Sequence, residues 1–396
     1  MKRILFIFSN LTNVFSSPKY SKNYNSGNFV FLSAGASFFY DTENVVFDTL
    51  ENISIRLKDN PNVVKDNFDI AIMMQANIFC HENSSSMLML SRIIKKLKIP
   101  MFILGAGVQS SLDYSDEFLL SISEPSKIFL DTVFESGGDI TLRGDFSKYC
   151  LEKLGYKNLF VSGCPSLFMC GFSDNVLNKK IINRDCFNPM FNGQTVQEID
   201  DSLYDRYPNS HFFDQGYYFD LLYEPNVLTD ERFYRLNDSV KKLFLSRRID
   251  GDMNYFLWRK SILDKKFNFS YGSRLHGNII AIQLGIPCFV KVIDSRVREI
   301  VELFNIPSNM SYRYNEKSDD LFELYNSIDY SIFNKTYLNL FLNFEKYLNS
   351  NNIHNRLRDL HTDFINCLSK QEYFDYRKNI ELDEKVNHLS SMHHCD

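Results

Sequence analysis

The sequence predicts an α/β protein with two mainly parallel sheets and a helical C-terminal end. Short apolar runs alternate with amphipathic stretches over residues 1–170, and the same alternation resumes over residues 242–293. Beyond Pro307 the chain is polar and rich in Asn, and its apolar residues follow helical spacing without a further strand pattern. Strands that alternate with helices are joined by right-handed crossovers, which favours parallel sheets.

In the first region, short apolar runs predict buried strands, and apolar residues at three- and four-residue spacing predict helices. The predicted strands are 4–8, 68–74, 101–104, 140–142 and 159–161, and the predicted helices are 87–97 and 118–133.

The second region opens with a less regular, more polar stretch before the alternation becomes clear again. The predicted strands there are 180–186, 211–214, 242–245, 267–269 and 287–293, and the predicted helices are 195–207, 254–263 and 278–284. Two further helices are predicted at 338–348 and 353–368. We therefore predict α/β domains over residues 1–172 and 173–310, followed by a helical extension and tail over residues 311–396.

Composition and charge exclude several classes of protein. The chain has 44 basic and 49 acidic residues and a net charge of -5, which disfavours a nucleic-acid binder. No apolar stretch reaches the ~18 residues that span a bilayer, and the apolar run after Arg3 is too short for a secretory signal. The eight cysteines are scattered without a CxxC pair, which predicts a reduced cytoplasmic protein.

The C-terminal His393, His394 and Cys395 are the only residues that suggest a metal site in the sequence. No preceding ligand completes a tetrahedral set, so we interpret them as a solvated tail and predict no bound metal.

The segment 271–277 is the first candidate for chemistry. It lies between a predicted strand and a predicted helix, where free backbone N–H groups favour anions. Arg274 suits a carboxylate or phosphate, and His276 suits proton transfer near neutral pH. The alternative is a helix-start Arg paired with a surface acid and a His that caps a turn.

Two more segments have the same position after a predicted strand. Arg143 closes the strand 140–142 and suits an anion, although an ion pair with Asp145 or Asp139 explains it as well. Gly27, after the first strand, permits close approach of a ligand to the backbone, and a plain turn capped by Asn25 is the equal alternative.

Other common motifs are missing from the sequence. The segment 105–107 (Gly-Ala-Gly) lacks the third glycine and the ribose-binding acid of a dinucleotide site, which excludes a nicotinamide enzyme. The absence of GxxxxGK[ST] and HExxH disfavours a P-loop NTPase and a zincin.

Taken in order, the remaining segments resemble the polysaccharide pyruvyl transferase family. The C-terminal signature is Ser-Arg-Leu-His-Gly at 273–277, Ala281, Gly-Ile-Pro at 285–287 and Asp-Ser-Arg at 294–296. The N-terminal half agrees through 25–28, 68–70, 104–108, 142–143 and 163–166. The resemblance covers about residues 1–305 and leaves the helical extension uncovered.

This resemblance implies a fold like that of GT-B glycosyltransferases, with two Rossmann-like domains that face each other across a cleft. It implies a transferase that moves the enolpyruvyl unit of phosphoenolpyruvate onto a sugar diol of a bacterial capsule or exopolysaccharide repeat unit, forming a cyclic ketal and releasing phosphate. Phosphoenolpyruvate is then a co-substrate, and no cofactor is implied. The acceptor in such pathways is commonly carried on a lipid, so we expect a cytoplasmic protein with at most peripheral contact at the inner face of the membrane.

The resemblance also assigns site residues by position. It implies His276 as the acid/base, and it implies donor binding by Arg143, Arg274, Leu275, Gly277 and Arg296. Many family members have a Lys where Arg296 stands, so the positive charge is retained.

Acceptor binding is implied less directly, because Gln75-Ala76-Asn77 replaces a Gly-rich turn of the family and Asn28 replaces an Asp. The acceptor residues that we infer are Asn25, Gly27, Gln75, Asn77 and Tyr217. Tyr217 belongs to an aromatic cluster over 217–223, for which core packing is favoured over a rim for sugar rings.

Two rival functions fit the same fold class. A GT-B glycosyltransferase would use a nucleotide sugar, but no residues for the base and ribose are evident. A catalytically silent carbohydrate-binding protein would need neither a phosphate site nor a titrating base, which the segments around Arg143, Arg274 and His276 offer.

Overall fold

The computed structural model describes residues 2–8, 25–39, 44–222, 227–251 and 255–360, and within these ranges it contains two parallel sheets. The first has six strands in the order β2-β1-β3-β4-β5-β6. They are β1 (Ile4–Phe8), β2 (Val45–Thr49), β3 (Ile70–Met74), β4 (Met101–Ala106), β5 (Asp139–Leu142) and β6 (Phe160–Val161).

Helices cover both faces of this sheet. They are α1 (Gly27–Phe39), α2 (Leu50–Asp59), α3 (Val63–Asn67), α4 (Ser84–Leu97), α5 (Leu119–Glu135) and α6 (Asp145–Lys153). Because side chains alternate along a strand, the ring of Phe6 lies 5.7 Å from that of Phe39 of α1 on one face, while Ile7 belongs to the hydrophobic cluster of the other face, which includes Phe129 of α5. Both faces are buried, as the continuous apolar strands predict.

The second sheet has five parallel strands in the order β11-β10-β7-β8-β9. They are β7 (Pro189–Asn192), β8 (His211–Phe213), β9 (Ile249–Asp250), β10 (Phe269–Gly272) and β11 (Cys288–Val290). The remaining helices are α7 (Asp201–Arg206), α8 (Phe219–Leu222), α9 (Glu231–Tyr234), α10 (Asp238–Leu245), α11 (Tyr255–Asp264), α12 (Leu275–Gln283), α13 (Ser295–Phe304), α14 (Leu321–Ser327) and α15 (Ser331–Ser350).

The strand order of each sheet reverses at one place. In the first sheet the reversal lies between β1 and β3, and in the second it lies between β7 and β10. Crevices outside the carboxyl ends of strands at such reversals are where open α/β sheets bind ligands. Helices α1 and α12 follow β1 and β10, so the fold places their N-termini at these two positions.

The long helix α15 packs against both parts of the chain. Phe344 lies 6.1 Å from the ring of Phe38 in α1, and the hydroxyl of Tyr347 donates to Asp139 of β5 at 3.1 Å. The hydroxyl of Tyr330, just before α15, donates to the carbonyl of Cys288 in β11 at 2.9 Å. The C-terminal extension therefore joins the two sheets, while the domain limits stay a prediction.

Two predicted strands of the second region are wrong. Residues 242–245 lie in α10, where Val240 and Leu243 share one buried face and Asn237 caps the first turn through the backbone N–H of Val240 at 2.9 Å. The helical spacing of the apolar residues and the N-cap thus decide the secondary structure of this segment, and not the short apolar run that predicted a strand. Residues 180–186 form no strand, and β7 begins only at Pro189.

Three other elements differ in extent. The predicted helix 195–207 is helical only in a short 3₁₀ turn, Val196–Glu198, and in α7. The helix predicted at 353–368 is not formed up to residue 359, and the part beyond residue 360 lies outside the described residues. The edge strand β2 was not predicted, because its residues are only partly buried and lack a continuous apolar pattern.

Within the described ranges, no helix is both long and apolar enough to cross a bilayer.

Candidate active site

The segment after β10 forms the first half of the site. Helix α12 begins at Leu275, three residues earlier than predicted, so His276 and Gly277 lie in its first turn. No side chain caps this end, and the first N–H groups of a helix have no partner within it. A Cβ atom on Gly277 would lie 2.2 Å from Oδ1 of Asn192, so only glycine permits this approach to the end of β7. The result is an uncapped helix N-terminus that favours an anion.

His276 is partly buried and makes no hydrogen bond to a described residue. Its ring lies 6.4 Å from that of Phe31 in α1. Burial, together with the positive charges of Arg143, Arg274 and Arg296, lowers the pKa of His276 from 6.5 to about 4. The imidazole is therefore neutral near pH 7 and able to accept a proton.

Arg274 is the N-cap residue of α12, and its guanidinium makes no hydrogen bond or close ion pair with a described residue. Its Nε atom is buried without a partner. Burial lowers the pKa of Arg274, while the carboxylates of Glu198 and Asp214 oppose this change. Since the alternative, a pairing of Arg274 with a surface acid, is not formed among the described residues, these N–H groups are available to an anionic ligand.

In Arg143, unlike Arg274, every guanidinium nitrogen is hydrogen-bonded within the protein. Its side chain is 4% exposed, and Nε donates to Oε1 of Glu299 in α13. Nη1 donates to the carbonyl of Ala76, at 3.1 Å, and to Oδ1 of Asn77, and Nη2 donates to the carbonyl of Val108. The alternative interpretation of Arg143 as a structural ion pair is thus correct, but its partner is Glu299 and not Asp145 or Asp139. Arg143 contributes its charge to the site, and its direct contact with a donor stays a prediction.

Arg296 lies in the first turn of α13 and is about one-third exposed. Its Nε donates to Oδ2 of Asp294 at 3.0 Å, and Oδ1 of the same carboxylate caps α13 through the N–H of Val297 at 3.0 Å. Arg296 therefore forms an ion pair with Asp294, and its positive charge still contributes to the lowered pKa of His276.

The second half of the site is the N-terminus of α1. Oδ1 of Asn25 accepts the N–H of Gly27 at 2.9 Å, as the turn alternative predicted. The N–H of Ser26 donates to the carbonyl of Gln215 at 3.0 Å. A Cβ atom on Gly27 would lie 2.8 Å from Oε1 of Gln215 and 2.9 Å from Nδ1 of His276. Gly27 thus permits close approach of α1 to the side chains of the second sheet.

Four buried polar side-chain atoms of this site have no hydrogen-bond partner among the described residues. They are Ser26 Oγ, Asn192 Oδ1, Gln215 Nε2 and Arg274 Nε. Each such atom costs about 1–3 kcal/mol when it stays unsatisfied, so a group of them around one place indicates a ligand site.

Asn192 and Gln215 are not among the residues that the sequence predicts for this site. Asn192 ends β7, whose strand is predicted at 180–186, and Gln215 follows the predicted strand 211–214, so the end of a buried strand is the signal available for both.

Asp214 holds the loop that carries Gln215. Its carboxylate accepts the backbone N–H groups of Gly216, Tyr217 and Tyr218 at 3.1, 3.2 and 2.8 Å. Burial raises the pKa of Asp214 to about 6, although these hydrogen bonds lower it. The loop after β8 is therefore fixed from inside by one carboxyl group.

The predicted acceptor residues are dispersed. Gln75 follows β3, where its N–H donates to Leu104, and the side chain of Asn77 is occupied by Arg143. Tyr217 is 65% exposed, whereas Tyr218 is 2% exposed. Core packing is thus correct for Tyr218 and wrong for Tyr217, and residue 223 of that cluster lies outside the described residues.

Among the described residues, no group of three or more His, Cys, Asp or Glu side chains could hold a metal ion. The tail residues His393, His394 and Cys395 lie outside the described part of the chain.

The parallel sheets and this site define an α/β protein with a candidate anion site at two strand-order reversals. A family model described as polysaccharide pyruvyl transferase matches residues 36–295. The chain belongs to this family, and hence to a family of transferases.

Two solved structures are similar to this chain in backbone fold over most of its length. The S. aureus MnaA–UDP co-structure has 13% sequence identity and a TM-score of 0.44, with 88% of this chain and 97% of that chain covered. The apo structure of OtsA has 8% identity and a TM-score of 0.38, with 93% and 99% covered. At these scores neither structure supports a conclusion about function. No curated protein matches the sequence.

Proposed function

We propose that this protein transfers the enolpyruvyl unit of phosphoenolpyruvate onto a sugar diol of a bacterial capsule or exopolysaccharide repeat unit, as a cyclic ketal with release of phosphate. The observation that carries the proposal is the guanidinium of Arg274, which has no partner among the described residues, at an N-terminus of α12 that no described side chain caps, next to a neutral His276. The two reversal points would then face each other across the cleft of a GT-B-like fold.

The donor requires several positive groups, because phosphoenolpyruvate carries about three negative charges at neutral pH. Arg274 and the backbone N–H groups of Leu275 and Gly277 would bind the phosphate. Arg143 and Arg296 add positive charge to the same place, as their effect on the pKa of His276 shows. Because Arg143 is paired with Glu299 and Arg296 with Asp294, the two arginines would act on the donor through their charge and not through direct hydrogen bonds, unless the donor displaces a carboxylate.

The reaction needs two proton transfers. As one sugar hydroxyl attacks C2 of the donor, its proton passes through His276 to C3, and C2 carries oxocarbenium character during this step. Loss of phosphate and attack by the second hydroxyl close the ring. Of the two hydroxyl protons, one ends on C3 and the other on the released hydrogen phosphate. His276, neutral in the free site, would take and return these protons, a contribution of roughly 10²–10⁴ in rate.

The acceptor is proposed to bind on the side of α1, near Asn25 and Gly27, with Gln75, Asn77 and Tyr217 as outer candidates. The exposed ring of Tyr217 suits a sugar face, since its body is apolar and its tip is polar. An acceptor carried on a lipid would be met by a cytoplasmic protein with at most peripheral membrane contact.

A phosphate-release assay tests this function. Phosphoenolpyruvate is incubated with the protein and glycosides of galactose, mannose or glucuronic acid, and calorimetry measures donor binding separately. We expect donor binding and phosphate release that depends on one of the glycosides. Absence of donor binding, with turnover of a UDP- or GDP-sugar instead, would support the rival glycosyltransferase.

A further inference from the structure

We propose that Ser26 and Gln215 form a hydroxyl-binding subsite for the acceptor sugar, on the side of His276 that faces α1. This inference rests on the proposed function and deepens it, because it names the groups that would hold the attacking hydroxyl.

Both side chains are buried, yet each has an unsatisfied polar atom. Ser26 is 1% exposed and Gln215 is 4% exposed, and neither Ser26 Oγ nor Gln215 Nε2 has a hydrogen-bond partner among the residues that the structure describes. A serine that precedes a helix commonly caps it through Oγ. Here the backbone carbonyl of Ser26 accepts the N–H of Phe29 at 3.0 Å, and Asn25 accepts that of Gly27. The hydroxyl of Ser26 is therefore left without a structural role.

The two groups belong to one rigid arrangement. The N–H of Ser26 donates to the carbonyl of Gln215 at 3.0 Å, and Asp214 fixes the loop after Gln215 through three backbone N–H groups. The side chains of Gln215 and His276 both approach Gly27, at 2.8 and 2.9 Å from where its Cβ would stand. A ligand atom held by Gln215 would therefore lie beside the imidazole.

The chemistry of this side fits a hydroxyl better than an anion. The first N–H groups of α1 are already taken by Asn25 and Ser26, whereas those of α12 have no side-chain cap. The available groups are a neutral hydroxyl and a neutral amide N–H, which together donate to and accept from a sugar hydroxyl. The anion would bind at α12 and Arg274, and the hydroxyl would bind opposite, with His276 between them.

The test uses Ser26→Ala and Gln215→Met in the full-length chain, with Ser37→Ala as the matched control. Ser37 lies in α1, the helix that directly follows Ser26, and among the described residues its hydroxyl donates only to the carbonyl of Ser33, at 2.8 Å. The probes are phenyl β-galactoside, phenyl α-mannoside and phenyl β-glucuronide. Glycoside binding is measured by saturation-transfer NMR and KM by phosphate release, while calorimetry gives the Kd of phosphoenolpyruvate.

We expect Ser26→Ala and Gln215→Met to raise the KM and Kd of the accepted glycoside about tenfold, which is the loss of one hydrogen bond to a ligand. The donor Kd should stay within about twofold, and the melting temperature should not fall, because no internal hydrogen bond is removed. Ser37→Ala should change none of the binding constants.

Three results would overturn the subsite: unchanged glycoside binding in both variants, a weakened donor with an unchanged glycoside, or a wild-type chain that binds the donor and none of the glycosides. Failure of the proposed function looks different, because the wild-type chain would then not bind phosphoenolpyruvate, while the effect of the variants on glycoside binding could still be measured.

Discussion

Arg143 and Glu299 form a buried salt bridge that joins the end of β5 to α13, although 156 positions separate them in the sequence. Their side chains are 4% and 1% exposed. Glu299 also accepts the N–H and hydroxyl of Ser147 in the first turn of α6, at 3.1 and 2.9 Å. One carboxylate from the second half of the chain thus neutralises the arginine and caps a helix of the first half.

We expect Glu299→Ala to lower the free energy of unfolding by about 3–5 kcal/mol, because it leaves the charge of Arg143 buried without a partner. Lys242→Ala, which removes an exposed pair with Asp205, is the control and should cost at most about 1 kcal/mol. Urea denaturation measures both. Equal losses in the two variants would contradict a special role for the buried pair.

Arg274→Ala should weaken phosphoenolpyruvate binding by roughly ten- to a hundredfold, since truncating a charged hydrogen-bond partner costs about 1.5–3 kcal/mol. Arg296→Ala should have a smaller effect, because its guanidinium is already bonded to Asp294. Calorimetry at fixed ionic strength measures both constants. An unchanged Kd for Arg274→Ala would remove Arg274 from the donor site.

His276→Gln should keep donor binding within a few-fold and lower turnover by ~10²-fold or more, because it removes the proton acceptor and keeps the side-chain volume. Steady-state phosphate release gives the turnover and calorimetry gives the Kd. If turnover stays within about threefold of wild type, another group is the base.

The ionisation of His276 should respond to the donor. Its pKa is about 4 in the free protein because of burial and three arginines, and a bound trianion would offset their charge and raise it. NMR titration of the imidazole C–H signals, assigned with His276→Gln, measures the pKa with and without phosphoenolpyruvate. A pKa that stays low when the donor is saturating would place the donor away from His276.

The same low pKa makes stability depend on pH. The unfolded chain takes up a proton at this histidine near pH 6.5, and the folded chain does so only near pH 4. The contribution of the neutral imidazole to stability is therefore complete above pH 6.5 and is lost as the pH falls towards 4. Denaturation measured at several pH values in this window should show that the free energy of unfolding falls more steeply with decreasing pH for wild type than for His276→Gln. Identical dependences on pH in the two proteins would contradict the lowered pKa.

Tyr217→Ala should raise the acceptor KM without changing the melting temperature, because the removed ring is 65% exposed and leaves no cavity. Its neighbour Tyr218 is the matched control. Tyr218→Ala empties a buried position and should cost about 3–5 kcal/mol. A lower melting temperature with unaltered kinetics in Tyr217→Ala would exclude the sugar-facing role.

Much of the first sheet was predictable, because its strands are continuous apolar runs that burial on two faces requires. The second sheet was less so. Its strands are two to four residues long, too short for a periodic signal. The apolar run at 242–245 predicts a strand, whereas the cap at Asn237 and the buried face of α10 make it part of a helix.

The sequence alone determined the α/β class, the family and the segment that carries Arg274 and His276, because apolar periodicity and a contiguous motif are local properties of the chain. Only the tertiary structure decided that Arg143 pairs with Glu299, that Arg274 has no partner among the described residues, and that Ser26 and Gln215 meet next to His276. These are contacts between residues far apart in sequence, and their partners are chosen by burial and strand order. The buried charge of Arg143 is balanced because the fold brings Glu299 to it, and no local sequence pattern indicates that partner.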